Sequence, residues 1–470
     1  MPTERPDPLS VLEAALAGCE TDFVELRYHR KRSRAVAVEK GRLDTAQSSE
    51  HTGVGVRVLE QGTYGFASTP ELEAGAVRSA IERARAAARA SAAARRQRLS
   101  PLPPAPLVRG RFEGEGVAEA EGRDIGQVID LALRLEARAR AASSRIESAS
   151  CRYAELLEEK AILTSDGARV HSQVVRPEFR VGAVAREAGE LQRASRAVGV
   201  SGGWDCLFRR ASPEQLAEEA ARLAVERLAA GYPEGGRATV LLAPSLVGLL
   251  THDAIGHPVE ADFVTAGSVA AGKLGQRVAS ELITLCDSGH SEFAPGAGGS
   301  LAVDDEGVAT ERTVVIERGV LKSYLHSRES AARFGVRPTG NARAWEYQDE
   351  PLIRMRNTYI EPGQQSLEEL IDGIEDGYLL DGAANGQADA NGEFMFGTQQ
   401  AYRIHRGRRG PLLRGVNLSG RAFEVLSSVD GVGSEFVWDL GSGHCGKGQP
   451  MKVDAGGPWL RCQVLLGGRQ

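Results

Sequence analysis

Residues 252–257 read His-Asp-Ala-Ile-Gly-His, and their spacing constrains how this part of the chain folds. An ideal α-helix turns about 100° per residue, so side chains at positions i and i+5 point roughly 140° apart. His252 and His257 therefore cannot bind one ion from a regular helix. The spacing predicts either a π-bulge, whose hydrogen bond runs from i to i+5, or a helix that ends at Gly256. Gly256 tolerates unusual backbone angles, and Pro258 bars a further α-helical turn.

The acid beside the first histidine, Asp253, gives the segment the form His-acid-x-x-x-His. In the better-known zinc motif H-E-x-x-H, the corresponding acid is the general base. Two histidines at this spacing also arise by chance, one packed in a core and the other exposed. The motif alone therefore leaves both a metal site and an ordinary helix end open.

A catalytic zinc needs three protein ligands and an open position, so a third ligand has to come from elsewhere. The best candidate is Cys445, within the segment GSGHCGKGQ at residues 441–449. The glycines on both sides let the backbone approach a site closely, and a thiolate is a strong zinc ligand. The alternative is that Cys445 is a small buried apolar residue.

The composition limits the class of protein. With 470 residues the chain is long enough for two domains or three, and 42% hydrophobic with 26% charged residues is typical of a soluble enzyme. A net charge of -6, with both signs interspersed, gives no basic surface for nucleic acid. No run approaches the roughly 20 apolar residues of a membrane span, and the polar N-terminus is unlike a signal peptide. Six scattered cysteines indicate a reducing compartment, hence the cytoplasm.

Residue patterning predicts helices and short strands in the first half. The predicted helices are 9–17, 71–98, 125–142 and 213–229, the last with Ser212 as N-cap and Pro213 at its first position. The predicted strands are 23–28, 35–41, 53–59, 63–67, 144–156, 161–165, 169–175 and 178–185, with a hairpin turn at 165–167. Residues 101–106 are rich in proline and predict a stiff connector.

The second half predicts mostly strands after Gly235-Gly236. A buried strand at 238–244 leads to a helix capped by Ser245, which runs into the histidine segment. Beyond it the only clear helix is 366–375. We therefore expect an α+β fold of two domains. Residues 1–235 form a mixed α/β domain with an antiparallel sheet, and residues 236–470 form a β-rich domain that carries the metal site.

Seven segments of the second half resemble one known family. They are HDAIGHPVEADF (252–263), VASEL (278–282), VDDEG (303–307), GVLKSY (319–324), PTGN (338–341), MRNTY (355–359) and GHCGKGQ (443–449). Their order and spacing are similar to those of the TldD/PmbA metallopeptidases, once described as modulators of DNA gyrase. The retained ligands resemble the TldD branch, because the PmbA-like branch lacks them.

The resemblance implies one zinc per chain, held by His252, His257 and Cys445, with Asp253 as general base. It also implies a dimer, formed by two copies or with a PmbA-like (TldE) subunit, whose closed cavity admits unfolded peptides. One position departs from the family, which usually has glutamate in place of Asp253. Aspartate is shorter by one methylene, so its carboxylate is drawn back by roughly 1.5 Å.

We therefore expect a zinc-dependent peptidase that binds extended peptides. Weaker candidates are Glu260 and Asp262 for orienting the histidines, and Asn341, Arg356, Asn357 and Lys447 for contacting substrate. For each of these, a solvated or surface position is the alternative. Three other functions remain open: a non-catalytic subunit of a heterodimer, an amide hydrolase of a modified-peptide or small-molecule pathway, and a regulator of DNA topology. The net negative charge disfavours the last.

Overall fold

The structure, a computed structural model, describes residues 6–95, 98–99 and 102–468. The helices and strands of the first half, in chain order, are α1 (Pro8–Leu16), β1 (Phe23–Glu39), β2 (Arg42–Glu60), β3 (Thr63–Thr69), α2 (Ala74–Ala94), β4 (Arg109–Glu113), α3 (Val117–Gly122), α4 (Ile125–Ala141), β5 (Ile146–Thr164), β6 (Arg169–Glu187), β7 (Glu190–Gly199), α5 (Trp204–Leu207) and α6 (Pro213–Leu228).

The second half contains more strands. They and the helices between them are β8 (Gly236–Leu242), α7 (Pro244–Leu249), a π-helix (Leu250–Gly256), a 3-10 turn (His257–Val259), α8 (Ala261–Thr265), β9 (Leu285–Ser288), β10 (Thr313–Glu317), β11 (Val320–Leu321), α9 (Arg328–Phe334), β12 (Ala342–Arg343), β13 (Leu352–Ile353), β14 (Asn357–Ile360), α10 (Leu367–Asp372), β15 (Asp376–Ala388), β16 (Glu393–His405), β17 (Arg408–Leu413), β18 (Asn417–Arg421), α11 (Ala422–Ser427), β19 (Gly431–Val432), β20 (Val437–Trp438), β21 (His444–Cys445), β22 (Met451–Lys452), β23 (Asp454–Gly457) and β24 (Leu460–Gly467).

The strands of the first half form one sheet. Its order is β3-β2-β1-β5-β6-β4, with β7 also paired to β6, and every pair except β4–β6 is antiparallel. Two hydrophobic clusters cover one face of this sheet, one beneath α1 and α2 and the other beneath α4 and α6. The even-numbered residues of β1, such as Leu26 and Val36, contribute to these clusters. The helices therefore lie on a single face of the sheet.

The second half is organised around a closed ring of strands. β15, β8, β24, β18 and β16 pair in that order, and β16 pairs back to β15. The largest hydrophobic cluster includes residues of this ring and also Leu250, Ala254 and Ile255 of the π-helix. Burial of these three apolar side chains anchors the π-helix in the core, and the adjacent histidines are fixed with it.

Charged side chains join the two halves. The odd-numbered residues of β1 face away from its helices, and Arg27 donates to the carbonyl of Asp349 at 2.6 Å. Lys31 pairs with Glu346 at 2.7 Å and lies over the Trp345 ring. These contacts hold the segment between β12 and β13 against the first sheet. The residues that follow this segment, 353–355, contact the candidate metal centre.

The predicted α+β class is confirmed, with antiparallel pairing in the first half and a β-rich second half. The capping of α6 by Ser212 is confirmed as well, because its side chain accepts from Gln215 N. The prediction for Ser245 is wrong: Pro244 begins the helix, Ala243 is the cap residue, and Ser245 Oγ contacts Asp381.

Two other predictions need correction. The predicted helix 71–98 spans only Ala74–Ala94, and its positions 96 and 97 lie outside the described residues. Helices α8, α9 and α11 follow the histidine segment in addition to the predicted one at 366–375. Within the predicted connector, residues 102–106 form neither helix nor strand, and residue 101 lies outside the described part. The domain division at residue 235 stays a prediction.

Among the described residues, no helix has both the length and the apolar character that crossing a bilayer requires.

Candidate metal centre

The histidine segment departs from α-helical geometry as its spacing predicts. The π-helix Leu250–Gly256 is followed directly by the 3-10 turn His257–Val259. The backbone N–H of His257 donates to the carbonyl of His252, which is the i→i+5 bond of a π-helix. The ring centroids of His252 and His257 are consequently 5.2 Å apart.

The structure requires glycine at position 256 because of close packing, and not because of unusual backbone angles as the sequence predicts. Its φ of -62° is ordinary for a right-handed helix, so any residue can adopt it. A Cβ at this position, however, would overlap Met355 Sδ and lie 3.0 Å from the carbonyl of Thr251. Gly256 therefore allows the π-helix to pack closely against the chain at Met355.

Gly256→Ala is expected to lower the free energy of unfolding by about 1–3 kcal/mol, because Met355 has to move to admit the methyl group. Displacing the end of the π-helix should also weaken metal binding. Chemical denaturation and metal titration measure the two effects. Gly75→Ala is the matched control, since a Cβ there meets nothing within 4 Å. Equal stability of the two variants would contradict the close-packing explanation.

Three side chains that are distant in sequence converge at the end of this segment. One ligand atom each from His252, His257 and Cys445 lies within 4.8 Å of the others. Cys445 Sγ is 3.2 Å from His257 Nε2. The Nδ1 atom of His252 is buried and has no hydrogen-bond partner within the described part of the chain. A buried nitrogen without a partner is costly.

The charge state of Cys445 suits a cation, whereas His257 has to release a ring proton before it can bind one. Burial acts to raise the pKa of the Cys445 thiol, but the charges and hydrogen bonds of His252 and His257 lower it to about 3. Burial acts to lower the pKa of His257, but hydrogen bonds with Cys445 and Glu260 raise it to about 10. Without a metal, Cys445 is therefore a thiolate, and it lies beside the imidazolium of His257. The thiolate is the form of cysteine that binds metals.

Glu260 and Lys447 connect the histidine segment to the segment that carries Cys445. Glu260 is fully buried, and its Oε2 lies 2.8 Å from His257 Nδ1 and accepts from Lys447 Nζ at 3.1 Å. Lys447 also pairs with Asp262 at 2.6 Å and donates to the carbonyl of Ile353 at 3.0 Å. Glu260 thus fixes the orientation of the His257 ring. Asp262 pairs with Lys447 and contacts neither histidine ring among the described bonds.

Asp253 is half-buried on the π-helix, next to His252. Within the described part of the chain, no hydrogen bond or ion pair holds its carboxylate, in contrast to Glu260. Its oxygens are consequently available to exchange a proton.

Comparison with known proteins shows the family of this chain. Three family models match the chain: PmbA/TldA metallopeptidase domain 1 at residues 24–88, the central domain at 119–228 and the C-terminal domain at 235–465. A metalloprotease of Methanothermobacter thermautotrophicus is 33% identical over 451 residues, covering 95% of this chain and 96% of that protein. The chain belongs to the PmbA/TldD family of metallopeptidases.

Other members extend the comparison. A zinc metalloprotease TldD homologue of Saccharolobus solfataricus is 27% identical, over 94% of this chain and 96% of that protein. Among solved structures, a protein described as a modulator of a DNA gyrase from Thermotoga maritima covers 97% of this chain and 99% of its own, with 21% identity and a TM-score of 0.79. The structure of TldE from Thermococcus kodakarensis covers 95% of this chain and 97% of its own, with 21% identity and a TM-score of 0.75. These structures share the PmbA/TldD fold.

Three residues predicted to contact substrate lie beneath the site. Asn341, Arg356 and Asn357 are fully buried. Asn341 and Arg356 both donate to Asp287, at 2.8 and 2.7 Å, and Asn357 Oδ1 accepts from Gly299 N. Their side chains are buried and bond protein groups, so they present no exposed surface to a ligand in this structure, and their contact with substrate stays a prediction.

Sequence reasoning missed a residue of this PmbA/TldD site that the structure places at its centre. Arg354 is fully buried, and its guanidinium donates to the carbonyl of Cys445 at 2.6 Å. The only signal in the sequence is its position immediately before MRNTY, one of the segments by which the family is recognised. Nothing in the sequence relates residue 354 to residue 445, which lies in a different strand pair.

Proposed function

We propose that this chain is a zinc-dependent peptidase whose metal is held by His252, His257 and Cys445. The observation that carries the proposal is the convergence of three ligand atoms, one each from His252, His257 and Cys445, within 4.8 Å of one another. The family membership and the zinc named for the Saccharolobus relative support it.

The donor set fits zinc among the common metals. Two imidazoles and one thiolate are borderline-soft ligands, which zinc accepts and which calcium and magnesium disfavour. Three protein ligands leave one position open, as in catalytic rather than structural zinc sites. Bound there, the ion would polarise the scissile carbonyl and lower the pKa of the attacking water.

The chain's own residues supply the proton transfers and the orientation. A carboxylate oxygen of Asp253 accepts a proton from the attacking water and delivers it to the nitrogen of the leaving amine. Glu260 Oε2 holds His257 through Nδ1, which leaves Nε2 directed at Cys445 and the metal position. The three hydrogen bonds of Lys447 keep its ammonium beside Glu260, so its role is to hold the site together.

The substrate we propose is an unfolded or extended peptide. An extended chain can add to a sheet edge through main-chain hydrogen bonds, which makes sequence selectivity weak. We further propose that the chain works in a dimer with a closed cavity, formed by a second copy or by a TldE-like subunit, whose fold it shares. The scattered unpaired cysteines favour the cytoplasm as its location.

Metal analysis together with a peptidase assay tests the proposal. The purified chain is expected to hold about one zinc per chain and to cleave an unstructured peptide. A chelator should abolish cleavage and added zinc should restore it, with and without a co-expressed TldE-like subunit. A metal-free preparation that hydrolyses the peptide normally would refute the proposal. Activity only with the partner present, unaffected by His252→Ala, would place the chemistry in the other subunit.

A further inference from the structure

One buried guanidinium holds the segment that carries the cysteine ligand. We call residues 445–449 the Cys445 loop. Arg354 donates to three of its carbonyls: that of Cys445 at 2.6 Å, that of Gln449 at 2.6 Å and that of Lys447 at 3.4 Å. The guanidinium thus spans the loop from its first to its last residue. Arg354 is fully buried, so these contacts are made away from solvent.

Apart from Arg354, the Cys445 loop is held by the side chains of Lys447 and of Gln449, which bonds Trp345 N and the carbonyl of Glu350, while its own backbone is weakly constrained. It contains Gly446 and Gly448, and Gly448 has a φ of 68°. The strand pair at its base is two residues long on each side, with Cys445 opposite Met451. A glycine-rich loop on so short a ladder has many accessible conformations. Because only some of them direct Sγ at the histidines, the loop needs an external restraint.

Arg354 depends on the loop in turn. Among the described residues, no carboxylate lies within ion-pair distance of its guanidinium, although it is fully buried. A buried charge is costly unless its donors are satisfied. Here carbonyl oxygens of the Cys445 loop accept from Nη1 and Nη2, while Nε has no partner among the described residues. Movement of the loop would leave the cation unpaired. Arg354 and the loop therefore stabilise one arrangement together.

The neighbours of Arg354 join the loop to the histidine segment. The carbonyl of Ile353 accepts from Lys447 Nζ at 3.0 Å. On the other side, Met355 packs directly against Gly256 of the π-helix. Residues 353–355 thus contact both parts of the metal centre.

We propose that Arg354 is a positioning residue, which fixes the Cys445 loop in its ligating position before the metal binds. This role rests on the proposed metal site. It differs from a general contribution to stability, because loss of the guanidinium should alter the metal affinity and the mobility of one loop.

Arg354→Lys tests the proposal, because lysine keeps the charge but a single ammonium cannot span three carbonyls. Cadmium titration of the metal-free protein, followed by the thiolate-to-cadmium charge-transfer band, is expected to give a Kd about 10–100-fold weaker than wild type. The matched control is Arg356→Lys, which alters an equally buried arginine bonded to Asp287 and not to the loop. It should lower the melting temperature and leave the Kd unchanged.

The outcomes separate this proposal from the one it rests on. Wild-type cadmium affinity in folded Arg354→Lys, or equal weakening by Arg356→Lys, would overturn the positioning role. A wild-type chain without the charge-transfer band, or with a band that persists in Cys445→Ser, would overturn the metal site itself.

Backbone ¹⁵N relaxation of the wild-type chain tests the proposal even if Arg354→Lys fails to fold. In the metal-free protein the order parameters of residues 445–449 are expected to be high already, and zinc should change them little. Low order parameters that rise only with zinc would mean that the metal orders the loop, which would overturn the proposal.

Discussion

Replacing Cys445 with serine is expected to abolish metal binding and peptide hydrolysis together while the chain stays folded. Zinc sites of this kind bind the ion with about 10–16 kcal/mol, which the ligands share. Removing one ligand should therefore weaken zinc binding at least ~100-fold. The serine hydroxyl has the shape of the thiol but stays protonated near neutral pH, so it does not replace the thiolate. Zinc content after dialysis and initial rates on an unstructured peptide measure the two losses.

Cys462→Ser is the control for this substitution. Cys462 is also buried, but it lies in β24, and burial raises the pKa of its thiol to about 12. Its replacement should reduce stability modestly and leave the zinc bound. If Cys445→Ser kept its zinc and its activity, Cys445 would not be a ligand and the proposed site would be wrong.

The proposed metal triad could be predicted from the sequence because each of its three residues lies in a distinctive segment. The i and i+5 spacing of His252 and His257 excludes a regular helix, and the π-helix of the structure satisfies it. Cys445 is marked by its glycine neighbours and by the family resemblance. The surroundings of these three residues were harder to predict from the sequence. The contacts of Arg354 with the Cys445 loop span 91 to 95 residues and follow no local pattern.

The lengths of the strands were also only partly predictable from the sequence. The sequence predicts strands at 23–28 and 35–41 with a break between them, whereas β1 runs without interruption from Phe23 to Glu39. The intervening residues 29–34 read HRKRSR and lack the apolar alternation of a half-buried strand. They are extended because β2 and β5 pair with them on both sides, and Lys31 is buried against Glu346 of the second half. Tertiary charge pairing of this kind cannot be seen in a local window.

Asp253→Asn is expected to lower the rate of hydrolysis by about 10²–10⁴-fold without loss of zinc. Asparagine has nearly the same size and polarity, but its amide cannot accept a proton from water. Since no described group bonds the Asp253 carboxylate, the substitution should leave the fold undisturbed. The melting temperature and the zinc content check this, and the rate reports on proton transfer alone. Full activity in the variant would place the general base elsewhere.

Asp253→Glu then tests the effect of the shorter side chain, since the resemblance to the TldD branch implies glutamate at this position. If the carboxylate of Asp253 lies too far from the attacking water, the added methylene brings the carboxylate closer. In that case kcat should rise with KM unchanged. If the substrate occupies the space that the shorter acid leaves, the longer side chain should instead raise KM for that substrate. A comparison of the two constants on peptides of different bulk distinguishes an impaired base from a site shaped for a larger substrate.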